Sequence, residues 1–462
     1  MKFELSHIMA FILLFCCTIV VGAAEQQATA SITRPDNIIR FAAGEHPIDK
    51  NTTFHDPVVF EPGGRLNIHA GAVVTFERGF TAGEWCIFAG NGTIANVKKL
   101  IPEWFGATGD GIADDTEALQ RTFNSCKEPG FGPGGNYILL TRTYQVGSLN
   151  INTSGLTINA ENAWLIAKAS GQYPHLLRFT KSFCKITGNL TIDGNYNLGY
   201  DCIINVNSRH FISNNVVIWR ASLPWLFGNR QWATSGVSGD AEKGDSEIEI
   251  IGGATAHCLR GAEAVGANTI ALFSSALIYS YPWTLPKGDP RKAAWEAADS
   301  TLVRCIGGLV YFTGGGLANF SNKVPLIEVQ PIRCTKPQYY STYGGVYISN
   351  AHIESGNFFS TANPNKIYTQ DFKGVKTVQR MASLNMQSCG GYVTGNNIPI
   401  NTDPLFTGRL IVKNCNFYGI NRTANLAKIG NPAAAIDIDD ISFNDDHPKG
   451  AKAVIIEGAV KE

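Results

Sequence analysis

Two eight-residue segments of this chain align without a gap, and the pattern they share restricts its fold more than any other feature. "ITGNLTID" begins at Ile186 and "ISNNVVIW" at Ile212, an offset of 212 − 186 = 26 residues. Both alternate apolar and polar residues around an asparagine, and looser copies begin at Ile348 and Val412. Short strands that recur at such a period predict a solenoid, whose coils stack on one another. The alternative is an ordinary β-sandwich, because short strands of any fold resemble each other.

The composition agrees with an all-β chain. The 462 residues include 48 glycines, and only 16% are charged, so short β-rich runs closed by Gly, Asn or Ser dominate from about residue 137 onward. The 38 basic and 38 acidic side chains cancel, which gives the protein no general attraction to nucleic acid. We therefore expect no nucleic-acid partner.

A glycine- and aspartate-rich segment, "FGATGDGIADDTEALQRTF", precedes the repeats at residues 105–123. Its second half predicts a helix over residues 114–124, with Asp114 as N-cap and Glu117 completing a capping box. Leu119 and Phe123 fall on one face, so we expect this helix to cover the open end of the solenoid core. The aspartates of the segment suggest a metal site as the alternative, formed by Asp110, Asp114 and Asp115. We expect the helix, and neither a metal nor a cofactor.

This segment resembles the opening motif of the pectate-lyase-like superfamily, in the branch shared by bacteriophage tailspikes and secreted polysaccharide-degrading enzymes. The matching positions are Phe105, Gly106, Ala107, Gly109, Asp110, Gly111, Asp114, Asp115 and Thr116. The resemblance implies a right-handed parallel β-helix with a polysaccharide or cell-surface glycan as its partner. Because many tailspikes are trimers, it also implies a homotrimer as one form of assembly. In the family this motif is structural and carries no catalytic residue.

The resemblance leaves the activity open between two classes. One is a glycoside hydrolase or polysaccharide lyase acting on an acidic glycan, and the other is a β-helix that binds glycan without cleaving it. The catalytic series typical of polygalacturonases and the calcium-binding aspartates of pectate lyases are not recognisable in this chain. Membership of those two subfamilies is therefore not implied.

The amino-terminal residues predict export. Lys2 precedes the apolar run 8–21, and small residues follow it, as in a signal peptide over residues 1–24. An uncleaved membrane anchor is the alternative. Cleavage would release the protein to the periplasm or the exterior, with no membrane attachment. The remaining boundaries are a β-rich extension over 25–100, the β-helix over 101–430 with an excursion near 220–308, and a strand and tail over 431–462.

The cysteines predict packing more than cross-linking. Of the 11 cysteines, Cys16 and Cys17 lie in the signal, and the other nine show no paired spacing. Several stand inside apolar alternation, as Cys202 and Cys415 do. We expect them to act as small buried hydrophobic residues, with a disulfide framework as the alternative.

The strongest candidate for a binding surface follows from the repeat. If Ile192 and Ile218 face the core, then Asp193 and Trp219 face outward and lie side by side on neighbouring coils. An exposed tryptophan offers a flat face to a sugar ring, and arginines nearby could bind a carboxylate. The predicted substrate-binding residues are Trp219, Arg220, Trp225, Arg230 and Trp232. The alternative is that these aromatics hold the excursion against the coils.

The candidate catalytic residues are outward or turn-placed acids and bases. Hydrolysis of a glycosidic bond needs two carboxylates, whereas elimination needs a base and a cation that neutralises the uronate. The residues that fit are Asp193, Asp201, His352 and Glu354. A histidine beside a glutamate titrates near neutrality, although the same pair on a surface is often only solvated.

Overall fold

The computed structural model describes residues 37–126 and 137–228, and segments separated by gaps between residues 246 and 456. The predicted signal peptide lies outside the described residues, as do Arg230 and Trp232. None of the helices within the described segments is long and apolar enough to cross a membrane.

Residues 39–95 form a small stack of coils with three walls. Each wall is a three-stranded parallel sheet, β1-β4-β7, β2-β5-β8 or β3-β6-β9. The strands are β1 Ile39–Phe41, β2 Gly44–Ile48, β3 Thr52–Phe54, β4 Val58–Phe60, β5 Gly64–Ile68, β6 Val73–Phe76, β7 Phe80–Thr81, β8 Phe88–Ala89 and β9 Thr93–Ala95. Phenylalanines fill its centre, and the rings of Phe41 and Phe60 stack with centroids 5.3 Å apart. We call this unit the amino-terminal stack.

The glycine- and aspartate-rich segment links this stack to the main solenoid. A 3-10 helix spans Pro102–Phe105, and helix α1 spans Thr116–Asn124. Leu119 and Phe123 are buried, as predicted. The Arg121 guanidinium donates to the carbonyl of Phe88 at 2.9 Å, while the Gln120 amide donates to the carbonyl of Asn150 at 2.9 Å. Helix α1 therefore contacts the amino-terminal stack on one side and the main solenoid on the other. It lies between two sets of coils, not over a free end.

The aspartates of this segment organise its backbone. Asp115, not Asp114, is the N-cap of α1, and its carboxylate accepts from the amides of Thr108 at 2.7 Å and Gly109 at 3.1 Å. The Asp114 carboxylate accepts from the Thr116 amide at 3.1 Å and from Lys168 Nζ at 2.6 Å. The predicted capping box is therefore wrong, because the helix begins two residues later than Asp114. The carboxylates of Asp114 and Asp115 thus bind backbone amides and a lysine, which gives them a structural role in this segment.

The main solenoid begins at residue 99 and is built almost wholly of parallel strands. Its first strands are β10 Lys99–Leu100, β11 Asp110–Asp114, β12 Tyr137–Leu140, β13 Thr143–Val146, β14 Leu149–Ile151, β15 Thr157–Ala167, β16 Leu177–Phe179, β17 Lys185–Asp193, β18 Ile204–Val206, β19 Phe211–Asn214, β20 Val217–Trp219 and β21 Trp225–Gly228. The predicted excursion near 220–308 is too long, because strands between Trp225 and Ser280 continue the walls of the solenoid. Helix α2, Lys292–Ala297, lies in the shorter segment between Ser280 and Val303, which we call the excursion from here on.

The later strands continue the same pattern. They are β22 Ser246–Ile251, β23 Ala254–Ala256, β24 Ala262–Val265, β25 Thr269–Ser274, β26 Leu277–Ser280, β27 Val303–Ile306, β28 Leu309–Thr313, β29 Gly316–Asn319, β30 Ile327–Gln330, β31 Gly344–Ser349, β32 His352–Ser355, β33 Phe359–Thr361, β34 Thr369–Phe372, β35 Val375–Val378, β36 Ala382–Gln387, β37 Gly390–Tyr392, β38 Ile400–Thr402, β39 Arg409–Tyr418, β40 Ala427–Ile429, β41 Ala435–Phe443 and β42 Val454–Ile456. Strands β34 and β35 form an antiparallel hairpin.

The coils of the main solenoid have three walls. One coil runs through β19 on wall 1, β20 on wall 2 and β21 on wall 3. Walls 1 and 2 together form the 20-stranded sheet, and wall 3 is an 11-stranded parallel sheet. This arrangement confirms the predicted parallel β-helix. Wall 2, which carries the candidate site, contains β20, β23, β26, β29, β32 and β37 in that order.

Left-handed residues make the bend between walls 1 and 2. Asn215, Ser275 and Asn350 have φ of 53°, 56° and 53°, and Gly252 and Gly314 occupy the same corner in other coils. The amide of each corner residue donates to a carbonyl of the next coil, as Asn215 does to Ile251 at 3.0 Å. Asparagine tolerates this conformation better than other non-glycine residues, so its recurrence in the sequence marks the corner.

The predicted register is right on one side of this corner and wrong on the other. Thr191 pairs with Val217 and Asp193 with Trp219, an offset of 26 residues. Before the corner, however, Lys185 pairs with Ile212, which is 212 − 185 = 27 residues. The coil through β17 contains one more residue at the corner than the next coil. A gapless alignment cannot represent this difference.

The described cysteines are free, and all but one are buried. Burial raises the pKa of the Cys258 and Cys305 thiols to about 12. These side chains fill the interior of the coils as small apolar groups, which agrees with the expectation from the sequence.

Candidate functional site

The candidate site lies at the end of wall 2 near its junction with the excursion. Strand β17 ends at Asp193 and strand β20 at Trp219, and these two residues pair across neighbouring coils. Trp219 faces outward and is 39% exposed. The structure thus places an indole at the surface where the repeat predicts it.

Asp193 is buried, in contrast to the outward position predicted for it. Its side chain is only 4% exposed because the Arg220 guanidinium from the next coil covers it, and Arg220 Nε donates to Asp193 Oδ1 at 2.8 Å. A second contact joins Arg220 Nη2 to Asp193 Oδ2, and the amide of Asn195 donates to Oδ1 at 2.8 Å. The carboxylate is therefore fully engaged, and it positions Arg220 rather than reaching solvent.

A second arginine approaches from the excursion. Arg291 Nη1 donates to the carbonyl of Asn195 at 2.8 Å, and its Nε and Nη2 bind the two oxygens of Asp289 at 3.1 and 2.8 Å. These hydrogen bonds raise the pKa of Arg291 and lower that of Asp289 to about 2. The arginine is thus a fixed cation, held between the excursion and the coil.

Both guanidiniums contact the ring of Tyr196. The Arg220 Cζ atom lies 5.3 Å from the ring centroid and the Arg291 Cζ atom 5.8 Å, which are cation–π distances. Burial, with added repulsion from Arg291, lowers the pKa of Arg220. Asp193 and Asp289 balance the two positive charges, but the side chains of Arg220 and Arg291 are 38% and 36% exposed. Guanidinium N–H groups that the aspartates do not use can therefore donate to the carboxylate of a ligand.

The excursion is anchored by an aromatic contact. Trp295 of helix α2 is 1% exposed and packs edge-on against Tyr196, with ring centroids 5.1 Å apart. Helix α2 begins at Lys292, and the Asp289 carboxylate just before it accepts from the Arg291 amide at 2.8 Å. Trp295 thus holds the excursion against the coil, while Trp219 remains exposed.

His257 completes the cluster. It follows Ala256, which pairs with Trp219, and the rings of Trp219 and His257 meet edge-on with centroids 5.8 Å apart. Burial lowers the pKa of His257, and the positive charge of Arg220 lowers it further. A lowered pKa keeps the imidazole neutral at neutral pH, the form that can accept a proton.

Wall 2 connects this cluster with the other predicted pair. Strands β23, β26 and β29 lie between β20 and β32, so His352 is on the same wall as Trp219, about 19 Å away at one strand spacing per coil. His352 is exposed, and the side chain of Glu354 lies outside the described residues. The two predicted surfaces are therefore parts of one wall.

Trp225 and Asp201 lie away from this cluster. Trp225 begins β21 on wall 3 and is 1% exposed, with its ring stacked on Phe227 in the core, so its prediction as a substrate-binding residue is wrong. Asp201 is exposed on the turn that leads to wall 3, and its amide donates to the carbonyl of Tyr173 at 3.0 Å. Of the predicted residues that the structure describes, Asp193, Trp219 and Arg220 meet in this cluster.

Sequence reasoning missed four members of the cluster. Tyr196 and His257 adopt left-handed φ of 52° and 56° just after strand ends, where a repeat pattern gives no signal. Arg291 is separated by 96 residues from Asn195, whose carbonyl it contacts, and Asp289 belongs to the same distant segment.

Comparisons with known proteins give structural likenesses at low sequence identity. No protein-family model matches the chain, and no curated protein matches its sequence. ORF18 of Geobacillus virus E2 is 14% identical with a TM-score of 0.37, over 77% of this chain and 59% of the viral one. The Family 28 exopolygalacturonase of Yersinia enterocolitica is 12% identical with a TM-score of 0.34, over 80% of both chains.

A third solved structure is the A-module of the mannuronan C-5 epimerase AlgE6 from Azotobacter vinelandii. It is 11% identical with a TM-score of 0.35, over 75% of this chain and 99% of the module. The chain spans 59% of the viral protein's length.

Proposed function

We propose that this protein binds an acidic polysaccharide along wall 2 and cleaves it by β-elimination. The observation that carries the proposal is the pair of arginines fixed against Tyr196 beside the exposed Trp219. The indole supplies a flat apolar surface for a sugar ring, and the exposed parts of the guanidiniums supply N–H donors for its carboxylate. Export, predicted from residues 1–24, would bring the site into contact with extracellular polysaccharides.

Elimination fits the cluster better than hydrolysis does. Hydrolysis requires two available carboxylates, but the carboxylates described in this cluster, Asp193 and Asp289, each bind an arginine through both oxygens. Elimination requires a cation that neutralises the uronate and a base that removes the proton at C5. Arg220 and Arg291 fit the first role, and neutral His257 fits the second.

The proposed step conserves atoms and charge. His257 takes the C5 proton, the electron pair forms the C4–C5 double bond, and the bond from C4 to the bridging oxygen breaks. The leaving oxygen takes a proton from solvent, and His257 returns its proton to water. Because the arginines reduce the negative charge of the uronate, they make the C5 proton more acidic.

Incubation with a panel of uronate-containing polysaccharides tests this function. Absorbance from an unsaturated uronate, formed by wild-type protein and lost in His257→Gln, would support elimination. New reducing ends without that absorbance would identify a hydrolase instead. Retention of the polymer without any cleavage would identify a glycan-binding protein.

A further inference from the structure

A second surface groove with an aromatic ring and polar side chains lies on the amino-terminal stack, far along the chain from the cluster at Trp219. An open groove of about 450 Å³ is lined by Gly44, Glu45, Gly63, Arg65, Trp85 and Cys86. This volume is within the range of about 300–1,000 Å³ that small-molecule sites occupy. The groove runs over the outer face of β2 and β5, whose strands pair in register from Gly44 and Gly64 onward.

Trp85 is held in place at this groove. Its Nε1–H donates to the carbonyl of Gly64 at 3.3 Å, and its ring lies over Gly83, where a Cβ atom would come within 1.9 Å of the indole. Gly44 has a φ of 125° and open space where a Cβ atom would stand. The backbone therefore presents a bare floor beside a fixed, half-buried aromatic ring.

The polar side chains beside Trp85 form a fixed and electrically balanced set. Arg65 Nη2 donates to Glu45 Oε2 at 2.6 Å, and the Asn67 amide donates to Glu45 Oε1 at 2.5 Å. The side chains of Glu45 and Arg65 are 40% and 46% exposed, so a ligand can reach them. Because the charges of Glu45 and Arg65 cancel, the groove offers no net attraction to an anion.

We propose that this groove binds a neutral saccharide, with one sugar ring against Trp85 and its hydroxyls on Glu45, Arg65 and Asn67. A sugar hydroxyl both donates and accepts hydrogen bonds, and this set offers a carboxylate acceptor between guanidinium and amide donors. The glycine floor admits a ring close to the backbone. The site makes no use of Trp219 and does not depend on the function proposed for wall 2.

Binding of the full chain to a panel of neutral and uronate-containing oligosaccharides tests the site. We expect wild-type protein to bind a neutral oligosaccharide, and Trp85→Ala and Arg65→Ala to weaken that binding by about ten-fold or more. Arg65→Ala leaves the indole in place, so a loss in this variant does not depend on the folding of Trp85→Ala. Melting temperatures of each variant show whether the stack remains folded.

Two controls separate this site from other causes. Arg78→Ala removes an exposed arginine of the same stack that lies 3.9 Å from Asp56, and it should bind as wild type does. Trp219→Ala should also keep its affinity for the neutral oligosaccharide. The proposal is overturned if wild-type protein binds no neutral oligosaccharide at millimolar concentration. It is equally overturned if Trp85→Ala and Arg65→Ala bind normally, or if the groove prefers a uronate.

Discussion

Asp193 and Trp219 occupy paired positions on neighbouring coils, yet the aspartate is 3% exposed and the tryptophan 39%. The difference arises because Arg220 lies over the aspartate and leaves the tryptophan uncovered. The two residues therefore have different roles. Trp219 presents a surface to a ligand, whereas Asp193 fixes the arginine beside that surface.

Asp193→Asn should destabilise the fold. Arg220 would lose its buried counter-charge, but its own side chain is 38% exposed, so solvent screens part of the loss and we expect a cost of about 1–3 kcal/mol. The free energy of unfolding, from denaturant titration, measures this loss. Asp437→Asn is the matched control, because its pair with Lys413 is exposed and contributes about 0–1 kcal/mol. Equal stability of the two variants would contradict the positioning role of Asp193.

Leu119→Asp should strongly destabilise the junction at helix α1. Leu119 is fully buried, so the substitution removes apolar packing and places a charge in the core, at a cost of about 4 kcal/mol or more. Glu117→Ala, at an exposed position of the same helix, should change stability by about 0.5 kcal/mol or less. An unchanged melting temperature for Leu119→Asp would show that the helix does not join the two stacks.

Asn350→Val tests the corner between walls 1 and 2. Asn350 has a φ of 53°, and a β-branched residue in this left-handed conformation costs about 1–2 kcal/mol. Asn350→Gly should be nearly neutral, because glycine adopts this conformation without strain. Thermal unfolding of both variants checks the prediction, and a valine variant as stable as the glycine variant would contradict the observed corner.

His175 should make the protein less stable in acid. The histidine is buried and its Nε2 lies 3.1 Å from Asn150 Oδ1, and burial, with repulsion from Arg178, lowers its pKa to about 4. In the unfolded chain the pKa is about 6.5, so protons favour unfolding below that pH. The contribution of neutral His175 to the free energy of unfolding is fully present above about pH 6.5. It decreases as the pH falls, by about 3 kcal/mol near pH 4.

His175→Gln removes this titration and can still donate to Asn150. Denaturant titrations at several pH values between neutral and acid should show a shallower loss of stability for the variant than for wild-type protein. Identical pH profiles would mean that His175 does not contribute to acid unfolding.

The fold could be predicted from local features of the sequence because a solenoid repeats them. Asn215, Asn350 and Asn414 mark the same left-handed corner, and apolar alternation gives the core on each side of it. One extra residue in the coil through β17 shifted the register before the corner, which a pattern of apolar residues cannot show.

The candidate site was predictable only in part, for a physical reason. The alternation of apolar and polar residues correctly placed Trp219 outward, but it also predicted an exposed Asp193. The pattern cannot show that a side chain of the next coil, Arg220, covers the aspartate. Trp225 was misplaced because it follows the turn to wall 3, where its side chain faces the core. The contribution of Arg291 depends on how a distant excursion folds back, and no local pattern records that.

The most direct test of the proposed glycan site is the affinity of Trp219→Ala for the uronate-containing polysaccharide that wild-type protein binds best. We predict a loss of about 1–3 kcal/mol in binding free energy with an unchanged melting temperature, because the indole is exposed and contributes to the ligand rather than to the core. Phe183→Ala is the control, since Phe183 is an exposed aromatic residue at 55% that stacks on His210 away from the cluster. Equal affinity of Trp219→Ala, Phe183→Ala and wild-type protein, or no binding of any acidic polysaccharide, would contradict the account.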